Sequence, residues 1–464
     1  MSTLSHPLPR YGRPTAAAPA PWRDPRVRPW VQGFILFQLV CQLALLIPGI
    51  GPARIAVRMA AFGASLALLV LLRGRGVAHP AAGPAVLALA VVGMAVFHPD
   101  TTNLTAGIAQ AALYAAVLAP LFWVPRLTLD GRALRRTVMI LWGFHSLSAG
   151  LGVLQVYFPG RFQPPVSSVV MSKGKGYLES LKITTATGQR VYRPMGLTDV
   201  PGGASISGLY AVLFGMGFFL TRRSPWFMAA SMGSMGLGMM CLALSQVRSL
   251  VVMTGITVVV VGMILVWRRD VSRLMTLIGA VVAVVAVGWI ASMSLAGPTV
   301  QRRMGSLVRD RPSAVYYSER GRFLDDAFTQ VLPQAPFGSG LGHWGMMATY
   351  FGNKGPPPPN AKSYWVEIQW AGWIVDGGAP LMITYFLAIV LALLGSWRIA
   401  RSPPARAAPD LPFWGAIVFA YGVGALALTF SYPIFLAQAG MEFWLLNAAL
   451  FAAARHVRAM SAAE

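Results

Sequence analysis

Between Leu274 and Val300 the chain carries no charged residue at all. A soluble helix of that length would need a polar face, and a soluble strand would need turn residues long before the end of the run. A bilayer interior accepts such a stretch, and only as a helix, because every backbone N–H and C=O must then be satisfied within the segment. The feature is not isolated. Hydrophobic residues make up 56% of the 464 positions and charged residues only 11%, far from the balance of a water-soluble domain.

Apolar runs able to cross a hydrocarbon core, ~17–25 residues each, fall near 31–49, 54–72, 80–97, 104–124, 136–157, 202–220, 226–245, 249–267, 272–295, 379–396, 412–431 and 433–453. The expected fold is therefore an all-α polytopic membrane protein of about 12 transmembrane helices. Residues 1–30, with five arginines among prolines, read as a disordered basic cytoplasmic tail. Residues 31–295 hold the first nine spans, with a loop at 158–201. Residues 296–378 form a large loop with amphipathic helices, 379–453 hold the last three spans, and 454–464 form a second short tail.

Basic residues recur at alternate connections: Arg73/Arg75, Arg126/Arg132/Arg135/Arg136, Arg222/Arg223, Arg268/Arg269/Arg273, Arg398/Arg401/Arg406 and Arg455/Arg458. By the positive-inside rule these face the cytoplasm, and the two long loops face the periplasm of a bacterial inner membrane. The net charge of +23 is spread between apolar segments rather than gathered on a soluble face, so nucleic acid is not the expected partner. Membrane lipids are. Cys41 and Cys241 lie inside spans, and no His/Cys/Asp/Glu spacing suggests a metal site or calls for a cofactor.

Three polar motifs sit on the long-loop side. Arg193 to Ser205 reads Arg-Pro-Met-Gly-Leu-Thr-Asp-Val-Pro-Gly-Gly-Ala-Ser and leads into the sixth span. Its Gly and Pro content leaves backbone N–H groups available, so Gly202 and Gly203 at a helix start beside Arg193 form a candidate phosphate cradle. Ser245-Gln-Val-Arg248 occupies a short turn that pins its arginine at the bilayer surface, where snorkelling is the ordinary alternative. Ser318-Glu319-Arg320-Gly321-Arg322 opens a segment with Phe323, Leu324, Ala327, Phe328, Val331 and Leu332 at helical spacing, followed by Pro336, Gly338, Gly340 and Gly342. A solvated charge cluster, with Glu319 paired to Arg322, is the ordinary alternative there. A second interfacial helix is expected over Ala361–Asp376, with Trp365, Trp370 and Trp373 as surface anchors.

In order and spacing these fragments resemble the O-antigen ligase and O-antigen polymerase superfamily of bacterial membrane glycosyltransferases. The likeness rests on Arg193/Gly196/Pro201, Ser245/Arg248, and Arg320 or Arg322 followed by Pro336/Gly338/Gly340, and covers about residues 190–395. It implies inverting transfer of a glycan from an undecaprenyl-pyrophosphate carrier to an acceptor hydroxyl in the periplasm, without a metal or nucleotide sugar. Arg193, Arg248 and Arg320 or Arg322 would hold the pyrophosphate, since guanidinium keeps its charge near lipid. A chain-length regulator is a further implied partner.

The acceptor hydroxyl needs a base. The ligase branch has a histidine after the Pro/Gly segment; this chain reads Asn360-Ala-Lys362-Ser-Tyr-Trp365, with Lys362 near its place. The base therefore stays open among Glu319, Asp199, Glu367, Asp376 and His343. Glu367 is preferred over Asp376, half a helical revolution away. His145, in the fifth span, reads as a polar core residue in preference to one lining the acceptor path. The expected activity is polymerisation of lipid-linked repeat units into an O-antigen or exopolysaccharide, with a ligase acting on lipid A core or protein as first alternative and a lipid-linked-sugar flippase as second.

Overall fold

The computed structural model describes residues 29–72, 76–101, 103–171, 174–185, 187–221, 224–309, 311–352, 366–405 and 407–462. The N-terminal basic tail, Arg73/Arg75, Arg222/Arg223, Arg406, Lys173, the proline run 356–359 and the stretch holding Lys362 lie outside them.

Each of the twelve apolar runs coincides with a helix. They are α1 (Trp30–Ala44), α2 (Arg54–Leu71), α3 (Ala82–Ala95), α4 (Leu104–Leu118, continued by short turns to Arg126), α5 (Gly131–Tyr157), α6 (Ala204–Thr221), α7 (Pro225–Ser245), α8 (Arg248–Trp267) and α9 (Val271–Arg309). A helix broken by two π-turns, α10, covers 312–334, and a short α11 covers Gly345–Phe351. Then come α12 (Gln369–Arg401), α13 (Leu411–Leu428) and α14 (Gln438–Ser461).

Nine helices among the described residues are long and apolar enough to cross a membrane, so the chain is an all-α membrane protein at this level of description. α1 and α3 are apolar but shorter, and α14 is long but more polar. Exposed Met275, Ile278, Val282 and Ile290 along α9, like Val70 and Leu71 on α2, present the apolar surface that a bilayer covers.

Local chemistry sets several boundaries. Asn103 and Asp130 cap α4 and α5 by accepting the N–H groups of Ala106 (2.9 Å) and Ala133 (2.6 Å). Pro225 opens α7, where its missing N–H costs nothing. α6 is buried along nearly its whole length, between α5, α7, α8 and α13. There Gly208 lets the α7 backbone approach so closely that a Cβ would lie 2.8 Å from Gly238 O.

Helix ends sort into two sets. At one, Arg126 donates to Leu69 O and Leu72 O at the end of α2, Arg268 to Ala400 O, and Arg455 to Pro125 O, while Arg135 pairs with Asp410. At the other, the motif end, Asp199 pairs with Arg54 and Arg58 at the start of α2, Leu341 N–H reaches Thr101 ahead of α4, and Glu319 pairs with Arg248 at the start of α8.

The structure departs from the sequence expectations in three places. The loop before α6 contains a small antiparallel hairpin, β1 (Lys182–Thr184) with β2 (Arg190–Tyr192), that no sequence signal had suggested. α9 continues as helix well past residue 295, to Arg309. The supposed interfacial helix is buried: residues 371–378 are all inaccessible, and Trp373 packs against Tyr385 and Phe435. It joins the tenth span as α12, with a kink at Gly378 (φ 62°, ψ −154°). Amphipathic patterning marks which face is apolar but not whether lipid or protein covers it.

Candidate functional site

The Arg193–Ser205 loop is held from below by one face of α5. Gln155 accepts the N–H groups of Met195 and Gly196 (both 2.8 Å) and donates to Gly196 O (2.9 Å). Ser148 Oγ accepts Leu197 N–H (3.0 Å) and the Ser207 hydroxyl (2.9 Å), which also contacts His145 Nδ1 at 3.1 Å. Gly196 adopts φ +61°, and a Cβ there would lie 2.5 Å from Ser148 Oγ, so glycine is required by both conformation and space. His145 is thus the core polar residue expected of it.

The two glycines do not act as anticipated. Gly202 N–H donates to Pro194 O (3.1 Å) and Gly203 N–H to Val200 O (2.9 Å), so both donors are used inside the turn. Their service is steric: a Cβ on Gly203 would lie 2.1 Å from Thr198 Oγ1, and Gly202 has φ +87°. The Cβ position of Gly202 lies 3.8 Å from the Arg193 side chain and 3.9 Å from that of Val247. The first motif therefore lies beside the second. Arg193 also donates to Ser180 O (2.9 Å) beside the hairpin.

The second motif turns through Gln246, which holds a left-handed conformation (φ 55°, ψ 26°) that costs a non-glycine residue of order 1–3 kcal/mol. Buried Ser245 stabilises the turn by bonding Leu242 O (2.7 Å). The result is Arg248 at the first position of α8, its side chain 17% exposed and ion-paired to Glu319.

Glu319 and Arg320 ride on the first π-turn of α10, Tyr317–Gly321. An extra residue in the turn widens the helix there, a distortion often found at functional sites. Adjacent residues consequently reach two elements: Glu319 to Arg248, and Arg320 to Glu367 just ahead of α12. Tyr316 anchors the same turn through its hydroxyl to Phe430 O (3.1 Å). Partial burial lowers the Arg320 pKa, opposed by the nearby Glu319 charge; guanidinium nevertheless stays protonated. Arg322 is exposed, and Glu319 pairs with Arg248 rather than with it.

Of the residues weighed as a base, Glu319 and Glu367 lie in this arginine cluster and the others do not share its ion pairs. Asp199 is buried and shared between Arg54 and Arg58 of α2. Asp376 is wholly buried in α12, accepting from Gln110 (2.7 Å), Tyr114 (2.7 Å) and Trp344 (2.8 Å). His343 donates through Nε2 to Ser339 O (2.8 Å) in the Pro/Gly turn, where burial lowers its pKa despite that bond and the nearby Asp100.

That turn is a fitted part, not a flexible link. Ser339 N–H donates to Val375 O (2.7 Å) and Ala379 N–H to Pro336 O (2.9 Å), threading it into the α12 kink. Gln110 accepts Gly342 N–H (3.0 Å) while donating to Asp376. A Cβ on Gly340 or Gly378 would fall 2.2 Å from Thr101 Oγ1 or 2.0 Å from Pro336 O.

Sequence reasoning missed Arg54, Gln110, Gln155 and Glu442, the last buried in α14 and accepting from Gln438 (2.9 Å). The i, i+4 spacing of Arg54 and Arg58 at the head of an apolar helix was a usable signal; glutamines inside spans carry little. No family model matches the chain, and no curated protein matches it.

Proposed function

We propose that the chain is a membrane glycosyltransferase that polymerises undecaprenyl-pyrophosphate-linked oligosaccharide repeat units on the periplasmic face of a bacterial inner membrane, with all twelve helices spanning. The observation that carries this reading is the pairing of Arg248 and Arg320, from two separated motifs, with the neighbouring carboxylates Glu319 and Glu367, while the first motif, with Arg193, lies beside the turn that leads to Arg248. Fixed cations at a bilayer surface suit a pyrophosphate leaving group, whose negative charge grows as the bond to sugar breaks.

In this mechanism Glu319 and Glu367 hold, against their arginines, the positions that phosphate oxygens take when the donor binds. The donor pyrophosphate then displaces a carboxylate from its arginine. The freed carboxylate accepts the proton of the acceptor hydroxyl, whose oxygen bonds to the anomeric carbon from the face opposite the leaving group. The anomeric C–O bond breaks, its electron pair departs with polyprenyl pyrophosphate, and the anomeric centre inverts. Glu367, the less exposed of the two (side chain 26% against 50%), is the favoured base.

Purified protein in liposomes, supplied with a lipid-linked repeat unit, should lengthen it into a ladder of products. Transfer of a single finished glycan to a different acceptor would instead assign a ligase, and movement across the bilayer without lengthening a flippase.

A further inference from the structure

We infer that Arg54 and Arg58 form a second lipid-pyrophosphate site, which holds the acceptor while the Arg193/Arg248/Arg320 cluster holds the donor. The inference rests on the polymerase reading, because joining two lipid-linked units leaves one lipid pyrophosphate as product and one still attached to the acceptor. Two anionic headgroups must be held at once.

The residues lie one helical turn apart on α2 and so share a face. Both bond the same carboxylate oxygen, Oδ2 of Asp199, Arg58 at 2.8 Å, and the three side chains are only 11%, 27% and 9% exposed for Arg54, Arg58 and Asp199. Two guanidiniums against one carboxylate leave one positive charge in excess where water is scarce, an arrangement that favours a bound anion. Nε of Arg54 and of Arg58 is buried without a hydrogen-bond partner, so the cluster's donor capacity is not exhausted. Beside it opens a cavity of about 340 Å³, floored by Arg54 and Asp199 and walled by the 45–51 turn and by Pro164–Ser167.

The hydrocarbon chain also has a place. Farther along the α1–α2 pair, Gly33, Phe37, Ala64 and Ala67 line an almost wholly apolar groove of about 480 Å³. Fifteen residues of α1 separate the groove's first residue from the cavity's side, a span of roughly 22 Å at 1.5 Å per residue, which a long prenyl chain covers. The loop 193–205 connects the two headgroup sites: it carries Arg193 at its start, bonds Arg54 and Arg58 through Asp199, and passes beside Val247 at Gly202.

Native mass spectrometry of the purified full chain in detergent with a sugar-free polyprenyl pyrophosphate tests this. Wild type should carry two lipids, Arg58→Gln and Arg248→Gln one each, and Asp199→Asn, which keeps both guanidiniums, two. Arg58→Gln should weaken the second binding step about 10-fold or more, the loss of a hydrogen bond to a charged group. One lipid on wild type, or two undiminished on Arg58→Gln, would overturn the proposal. So would displacement of the second lipid by an equal amount of phosphatidylglycerol, which would make it a general phospholipid site. Two lipids bound by a protein that lengthens nothing would keep this site and reject the polymerase reading.

Discussion

The pairing of two clamp arginines, Arg248 and Arg320, with carboxylates makes an unusual prediction: removing the acid should tighten pyrophosphate binding, whereas removing the arginine should weaken it. For Glu319→Gln the gain is bounded by the strength of the pair that the ligand must break. Glu319 is half exposed, with its side chain at 50% and that of Arg248 at 17%, so solvent screens the pair and it is worth only about 0.2–1 kcal/mol. Affinity for a polyprenyl pyrophosphate should therefore rise by roughly 1.5- to 5-fold. Arg248→Gln loses a hydrogen bond to a charged group, ~1.5–3 kcal/mol, and should bind roughly 10- to 150-fold more weakly. Titration of both purified variants with the sugar-free lipid, at one ionic strength, measures each change. Weaker binding by Glu319→Gln would refute the competition, and would mean that Glu319 orients Arg248 for the ligand.

Further substitutions probe the scaffold. Asp376→Asn leaves one acceptor oxygen for three buried donors, from Gln110, Tyr114 and Trp344; a loss of ~1–3 kcal/mol should appear as a lower melting temperature in detergent. Gly378→Ala should destabilise by at least ~1–3 kcal/mol, because φ is +62° and the new Cβ would lie 2.0 Å from Pro336 O; an unchanged melting temperature would show that the Pro336–Gly342 turn is not docked in the kink. His343 has a lowered pKa in the folded chain, so as pH falls through the ordinary value of 6.5 the unfolded chain takes up its proton first. That stability loss on acidification should be reduced in His343→Gln, measured as melting temperature against pH.

How far the sequence could be read depends on what kind of signal each feature leaves. The helices were legible because a hydrocarbon environment forbids charge over a whole span, as between Leu274 and Val300. The arginines of the candidate site were legible because charge at a short turn such as 245–248 is conspicuous in so apolar a chain. Their partners were not. Whether Glu319 meets Arg322, three positions on and about one helical turn away, or Arg248 on another helix is decided by packing, and the π-turn that directs it has no sequence mark. Gly202 and Gly203 were read as phosphate donors because glycine exposes N–H groups, yet the same glycines also permit the tight turn that consumes them. Trp373 illustrates the same limit: an aromatic suits a membrane surface and a buried core equally, and here Tyr385 and Phe435 surround it.

The most direct test of the central claim is chain lengthening by purified protein in liposomes containing a lipid-linked repeat unit, comparing wild type with Arg193→Gln, Arg248→Gln and Arg320→Gln. The account predicts a product ladder from wild type. Each variant should fold normally and lengthen about 10²- to 10³-fold more slowly, the cost of losing one preorganised group that stabilises leaving-group charge. Wild-type rates in Arg248→Gln and Arg320→Gln alike would contradict it.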